Sequence, residues 1–211
     1  MTVHVCFSYI CMLVDNFELF RELLEENPLF GWGPWEYYSI QIIRRGKDHP
    51  DLPSANKTFY SFYLEKPGDL MKYREEIITL SEMTGSRAYI YLNRRSMEKS
   101  LIATISAMAE RLMDQDYKKP WKIFNSASAS MKAQTRYWVL DIDEPEDLEN
   151  LDKIKEKVRS CDPGKDVITE IPTRTGKHII THPFNVVQFK EEYPGIDIKK
   201  TANPTLLYCN L

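Results

Sequence analysis

Cysteine is scarce in this chain, and what there is forms no pattern. The four cysteines, at positions 6, 11, 161 and 209, lack the paired spacing of zinc ligands and are too few for a disulfide scaffold. Free thiols in a reducing, cytoplasmic setting are therefore expected. An excess of one charge is also missing. The formal net charge is −3, so the whole molecule exerts no attraction on nucleic acid, and any phosphate binding must come from a local basic patch. There is no repeat, no low-complexity tract and no hydrophobic run of membrane-spanning length. The apolar stretch over residues 3–14 is too short to cross a bilayer, and neither a basic segment nor a small-residue cleavage site flanks it. It reads as a buried piece of the core, and no membrane partner is expected.

What is present is enough for a folded protein. With 211 residues, the chain can bury a core as one large domain or two small packed modules. Asp15 and Asn16 are candidate caps for a helix over residues 17–24, where apolar side chains recur at helical spacing. Residues 37–43 and 58–64 alternate as strands and suggest a hairpin. A helix follows Pro67-Gly68-Asp69, and residues 88–92 form a short strand. The next helix, residues 97–113, carries Leu101, Ile105, Met108 and Leu112 on one face, which is expected to be core. Residues 117–132 read as an irregular boundary, dividing an N-terminal module (1–130) from a second one (131–211).

The second module is organised around Arg136-Tyr137-Trp138-Val139-Leu140-Asp141-Ile142-Asp143. The run reads as a strand buried on both faces. It ends in two carboxylates whose spacing turns both to the same side. Two hard oxygen ligands at a sheet rim suit Mg²⁺ or Mn²⁺. A helix over residues 148–158 follows, then strands at 167–172 and 178–181 joined by Thr173-Arg174-Thr175-Gly176-Lys177. A short helix at 184–193 comes next, and residues 196–198 with 206–211 are expected to supply the closing strand. The order is βαββαβ, an α+β unit whose first and third strands are neighbours. That adjacency would bring Asp141 and Asp143 near His178 and the preceding turn. Gly176 would let the backbone approach a phosphate, Arg174 and Lys177 would supply cations, and Thr173 and Thr175 hydroxyl donors. Each residue also has a plainer reading. Asp143 could cap a helix, His178 could be a structural histidine, and Arg94-Arg95 and the aromatic run Phe59-Tyr60-Ser61-Phe62-Tyr63 could serve packing or solvation.

The run ending Leu140-Asp141-Ile142-Asp143, followed by a helix and then Thr175-Gly176-Lys177-His178-Ile179-Ile180, resembles the archaeo-eukaryotic primase superfamily, including primase-polymerases. That resemblance implies an RRM-like module packed against an N-terminal α/β module. It implies an enzyme of DNA replication that transfers nucleotides from NTPs or dNTPs to a nucleic-acid strand. Asp141 and Asp143 would hold Mg²⁺ or Mn²⁺, and His178, helped by Lys177, would contact the incoming triphosphate. The third acid of the family has Asp197 as its candidate here, with Glu170 as a remote alternative. The zinc-binding cysteines of many primases are absent. A DNA or RNA template is the implied partner, and a helicase a further one. Two rivals remain open, a catalytically inert RRM-like module that binds nucleic acid or protein, and a metal-dependent phosphoesterase or nuclease.

Overall fold

The computed structural model describes residues 13–52, 56–117, 122–200 and 204–211. The expected core element at 3–14 therefore lies almost wholly outside the described residues, apart from a short strand, β1 (Val14–Asp15). The protein is α+β, with two antiparallel sheets.

Helix α1 (Phe17–Glu25) buries Phe17, Phe20, Leu23 and Leu24, the face its spacing predicts. Its cap comes from Asp15, whose Oδ1 accepts from the Phe17 N–H at 3.2 Å. Asn16 is used otherwise. Its buried amide donates to the carbonyls of Pro172 and Leu206, both at 2.9 Å, and so ties the helix start to two distant strands. Strands β2 (Glu36–Arg44) and β3 (Lys57–Leu64) form the expected hairpin. Two short helices, α2 (Asp69–Lys72) and α3 (Arg74–Met83), lead into β4 (Arg87–Ser96). The C-terminal strand β9 (Pro204–Cys209) completes this first sheet, whose order is β1-β9-β4-β2-β3.

The position of β9 corrects the expectation that residues 206–211 close the second sheet. Leu206, Leu207, Tyr208 and Cys209 are all buried. A strand covered on both faces with neighbours at both edges belongs in a sheet interior, and β9 takes that place between β1 and β4.

Helix α4 (Met97–Met113) forms where the pattern indicates, with Ser96 capping it by accepting from the Lys99 N–H. Its apolar stripe, however, is not core. Leu101, Ile102, Ile105, Met108 and Leu112 are exposed, Ile105 at 68%. Among the described residues, only Ser100 of this helix is buried, where its hydroxyl meets that of Tyr37 at 2.9 Å. Beyond its first turn, the helix runs beside α5 (Ile123–Ser130). That helix replaces the irregular boundary expected at 117–132, and its small side chains Ala127 and Ser128 pack inward.

The second sheet follows. Strand β5 (Trp138–Ile142) leads to α6 (Pro145–Glu149) and α7 (Leu151–Ser160). Strands β6 (Val167–Pro172) and β7 (Lys177–Thr181), helix α8 (Val186–Lys190) and strand β8 (Asp197–Lys199) complete it. The order is β6-β7-β5-β8. Trp138, Leu140, Ile142 and Ile179 pack with Ile154, Val158 and Phe189 from the helices. Tyr137, Val139, Ile171 and Ile180, on the opposite face, share one core with Tyr38, Ile40, Leu92 and Leu207 of the first sheet. The two sheets are therefore packed against each other with β5 buried between them and the helices.

One side chain locks this junction. Asn93, 6% exposed, accepts from the Tyr137 N–H at 2.7 Å and donates to the Tyr137 carbonyl at 3.0 Å. Asn93→Ala would strand a buried donor and a buried acceptor, each worth about 1–3 kcal/mol. Urea denaturation should show a loss of about 2–4 kcal/mol with an unchanged m-value.

Candidate functional site

The alternation along β5 decides which residues meet. Val139 faces the first sheet, so Asp141, two residues on, does too. The β-ladder pairs Asp141 with His178 on β7 and with Asp197 on β8. Directly opposed residues of antiparallel strands share a face with Cβ atoms about 5 Å apart. His178, Asp141 and Asp197 thus form a row across three adjacent strands. Lys199, paired with Val139, lies on the same face one step along.

Within that row the Asp141 carboxylate is fully engaged. Its Oδ1 lies 3.1 Å from His178 Nε2, and its Oδ2 is ion-paired with Lys199 Nζ. Partial burial pushes the Asp141 carboxyl upward. The hydrogen bonds and charges of His178 and Lys199 outweigh it and hold the group well below the usual carboxylate range. His178 is 5% exposed, and its Nδ1 is buried with no hydrogen-bond partner among the described residues. Such an orphan is uncommon and calls for an explanation.

The other predicted residues separate. Asp143 is exposed just past β5 and accepts from Thr175 Oγ1 at 3.2 Å. It does not cap the next helix, where Glu144 occupies the N-cap and Pro145 begins the turn. Gly176 packs backbone on backbone, since a Cβ there would lie 1.9 Å from the Ile142 carbonyl oxygen. Its N–H donates to Thr173 Oγ1 at 3.0 Å. Lys177, opposite Ile142, turns to the helix face, where it pairs with Glu170 at 2.9 Å. Glu170 also pairs with Lys155 at 2.7 Å, which places it on the far face of the sheet from Asp141. Arg174 reaches back to the first part of the chain, 3.4 Å from Asp48, a carboxylate also clamped by Arg87. Arg94 pairs with Glu36 at 2.9 Å, and Arg95 donates to the carbonyls of Ser128 and Met131.

Lys199 is the residue that reading the sequence missed. The signal was present in Asp197-Ile198-Lys199, where strand alternation puts the lysine on the aspartate's face. Its presence bears on the divalent ion that the resemblance implies. Both oxygens of Asp141 are taken by side chains, and no group of three His, Cys, Asp or Glu side chains among the described residues is arranged to hold a metal. As arranged, these side chains do not fit a divalent cation. No helix among the described residues is long and apolar enough to cross a membrane. No family model matches the chain, and no curated protein or solved structure is significantly similar to it.

Two outcomes follow from this geometry. Gly176→Ala forces the turn off the end of β5 and should lower the melting temperature by several degrees, on the order of 1–2 kcal/mol. Asp141, whose carboxyl is depressed in the fold, contributes stability that is fully present above about pH 4, the unfolded value, and is lost as pH falls through the folded value. The stability gap between the wild type and Asp141→Asn should therefore be widest at neutral pH and shrink towards pH 2, as read by denaturant titrations across that range.

Proposed function

We propose that this chain is a nucleotidyltransferase of the primase-polymerase kind, using nucleoside triphosphates and a DNA or RNA strand. The observation that carries the proposal is the row His178, Asp141 and Asp197 on one face of three adjacent strands, turned towards the first sheet. The strand order β6-β7-β5-β8, with the first and third strands of the unit central, supports an RRM-like reading. The two motifs of the resemblance lie on those strands, and Asp197 lies on the fourth, where a third acid is sought.

In this reading the buried, unpartnered Nδ1 of His178 donates to a phosphate oxygen of the nucleotide only when the packing that covers it opens. Asp141 holds that imidazole from its other nitrogen and fixes its orientation. Asp143, exposed beside Thr175, lies at the open end of β5.

The ion pair between Lys199 and Asp141 favours a second reading, a catalytically inert module on the same scaffold. The two are separated by incubating the protein with labelled dNTPs or NTPs, Mg²⁺ or Mn²⁺, and primed or unprimed templates. Extended product that disappears in both Asp141→Ala and His178→Ala, with folding retained by circular dichroism, is the expected result. Absence of product under every condition, with nucleic-acid binding equal in wild type and Asp141→Ala, would leave the inert module.

A further inference from the structure

A cavity of about 620 Å³ opens on the first sheet, away from the Asp141 row. Its size falls in the range of sites that take a small molecule or a nucleotide, roughly 300–1,000 Å³. The floor is built by register. Ser39 opposes Tyr63 and Tyr91, and Gln41 opposes Ser61, so β2, β3 and β4 present these polar and aromatic side chains on one face. The opposite face of the same strands carries Ile40, Ile42, Phe62 and Ile90 into the core. Helix α5 and residues 131–136 form the wall.

The charge of this cavity is one-sided. Arg95, Lys132, Arg136 and Lys200 line it, and no aspartate or glutamate among the described residues does, in a chain whose net charge is −3. Arg95 is tied to two backbone carbonyls, and Lys200 rests over the Trp138 ring. Neither Lys132 nor Arg136 has an ion pair or hydrogen bond among the described residues. Concentrating uncompensated cations in a concave site raises the local potential for anions. The floor adds features that a simple anion would not use. Half-buried Tyr91 offers a planar ring, Tyr63 is held edge-on by Tyr37 and Phe124, and Gln41, which accepts from the Tyr91 hydroxyl at 2.8 Å, keeps its amide nitrogen available among the described residues.

We infer that this cavity is a binding site for a phosphate-bearing, base-containing ligand, either a mononucleotide or a segment of single-stranded nucleic acid. Phosphates meet Lys132, Arg136 and Lys200, while a base lies on the tyrosine and amide floor. Stacking on such rings is worth about 1–3 kcal/mol per base and tolerates any sequence. The site lies on a different sheet from His178 and Asp141, and it stands whether or not the transferase reading does.

The test is fluorescence polarisation with a labelled mixed-sequence single-stranded oligonucleotide, with ATP, dTTP and poly-glutamate as competitors. The variant Lys132→Gln/Arg136→Gln/Lys200→Gln removes three exposed charges, one of which rests over the Trp138 ring, and matched melting curves check its fold. Wild type should bind the oligonucleotide, and the triple variant should bind at least tenfold more weakly with a salt slope shallower by up to about 3. Asp141→Ala should bind like wild type, which separates this site from the row on β5. Displacement by ATP and dTTP at low concentration would identify the mononucleotide as the ligand, and displacement only by oligonucleotide would identify the strand. Equal binding by wild type and the triple variant would overturn the inference. So would displacement by poly-glutamate as effective as by an oligonucleotide of the same charge, since the floor would then contribute nothing.

Discussion

Strand β5 is buried on both of its faces, and that constraint sets the rest of the molecule. A strand with Trp138, Leu140 and Ile142 against helices must present Tyr137, Val139 and Asp141 to whatever lies opposite, because side chains alternate along a strand. What lies opposite is the core of the first sheet. A carboxylate at that position cannot be left as an isolated charge, since desolvation without a partner is costly. His178 and Lys199, brought alongside by the register of β7 and β8, supply the partners. The row on one face is thus a consequence of double burial combined with antiparallel pairing.

The same logic explains which parts of the fold were legible from sequence. Asp141 beside His178 could be read because a βαββαβ order makes the first and third strands neighbours and alternation fixes the face. Helices α1 and α4 were equally readable from apolar spacing. The stripe on α4 was misassigned because periodicity says that one side of a helix is apolar and not what covers it. β9 was misplaced for a related reason. A run buried on both faces states that it needs neighbours on both edges, and only long-range pairing says whose. Side-chain chemistry and the family resemblance together suggest phosphate ligation for Lys177 and Gly176, and neither shows which way the residues face. Alternation sends Lys177 to the face opposite His178, and Gly176 is required by the approach of the turn to the Ile142 carbonyl.

Lys199 raises the main chemical question about the Asp141 row. Its ammonium group pairs with the partly buried Asp141 carboxylate and occupies the oxygen that a cation ligand would need free, while Asp143 and Asp197 are exposed. His178 is different. It is buried in the sheet with one nitrogen satisfied by Asp141 and the other unpaired, and it carries this arrangement whether or not a metal arrives.

The two faces of the first sheet divide the labour of holding this arrangement. The inner face, rich in Ile and Phe, supplies the wall that keeps Asp141 partly dry. The outer face of β2, β3 and β4 is polar and aromatic, and it ends at Asn93 and Arg95, whose neighbouring segment 131–136 leads directly into β5. Asn93 grips the backbone of Tyr137 and Arg95 grips the carbonyls of Ser128 and Met131. Residues 131–136 thus line the outer cavity on one side and enter β5 on the other, so the same segment that walls the cavity is fixed at both ends by backbone-gripping side chains.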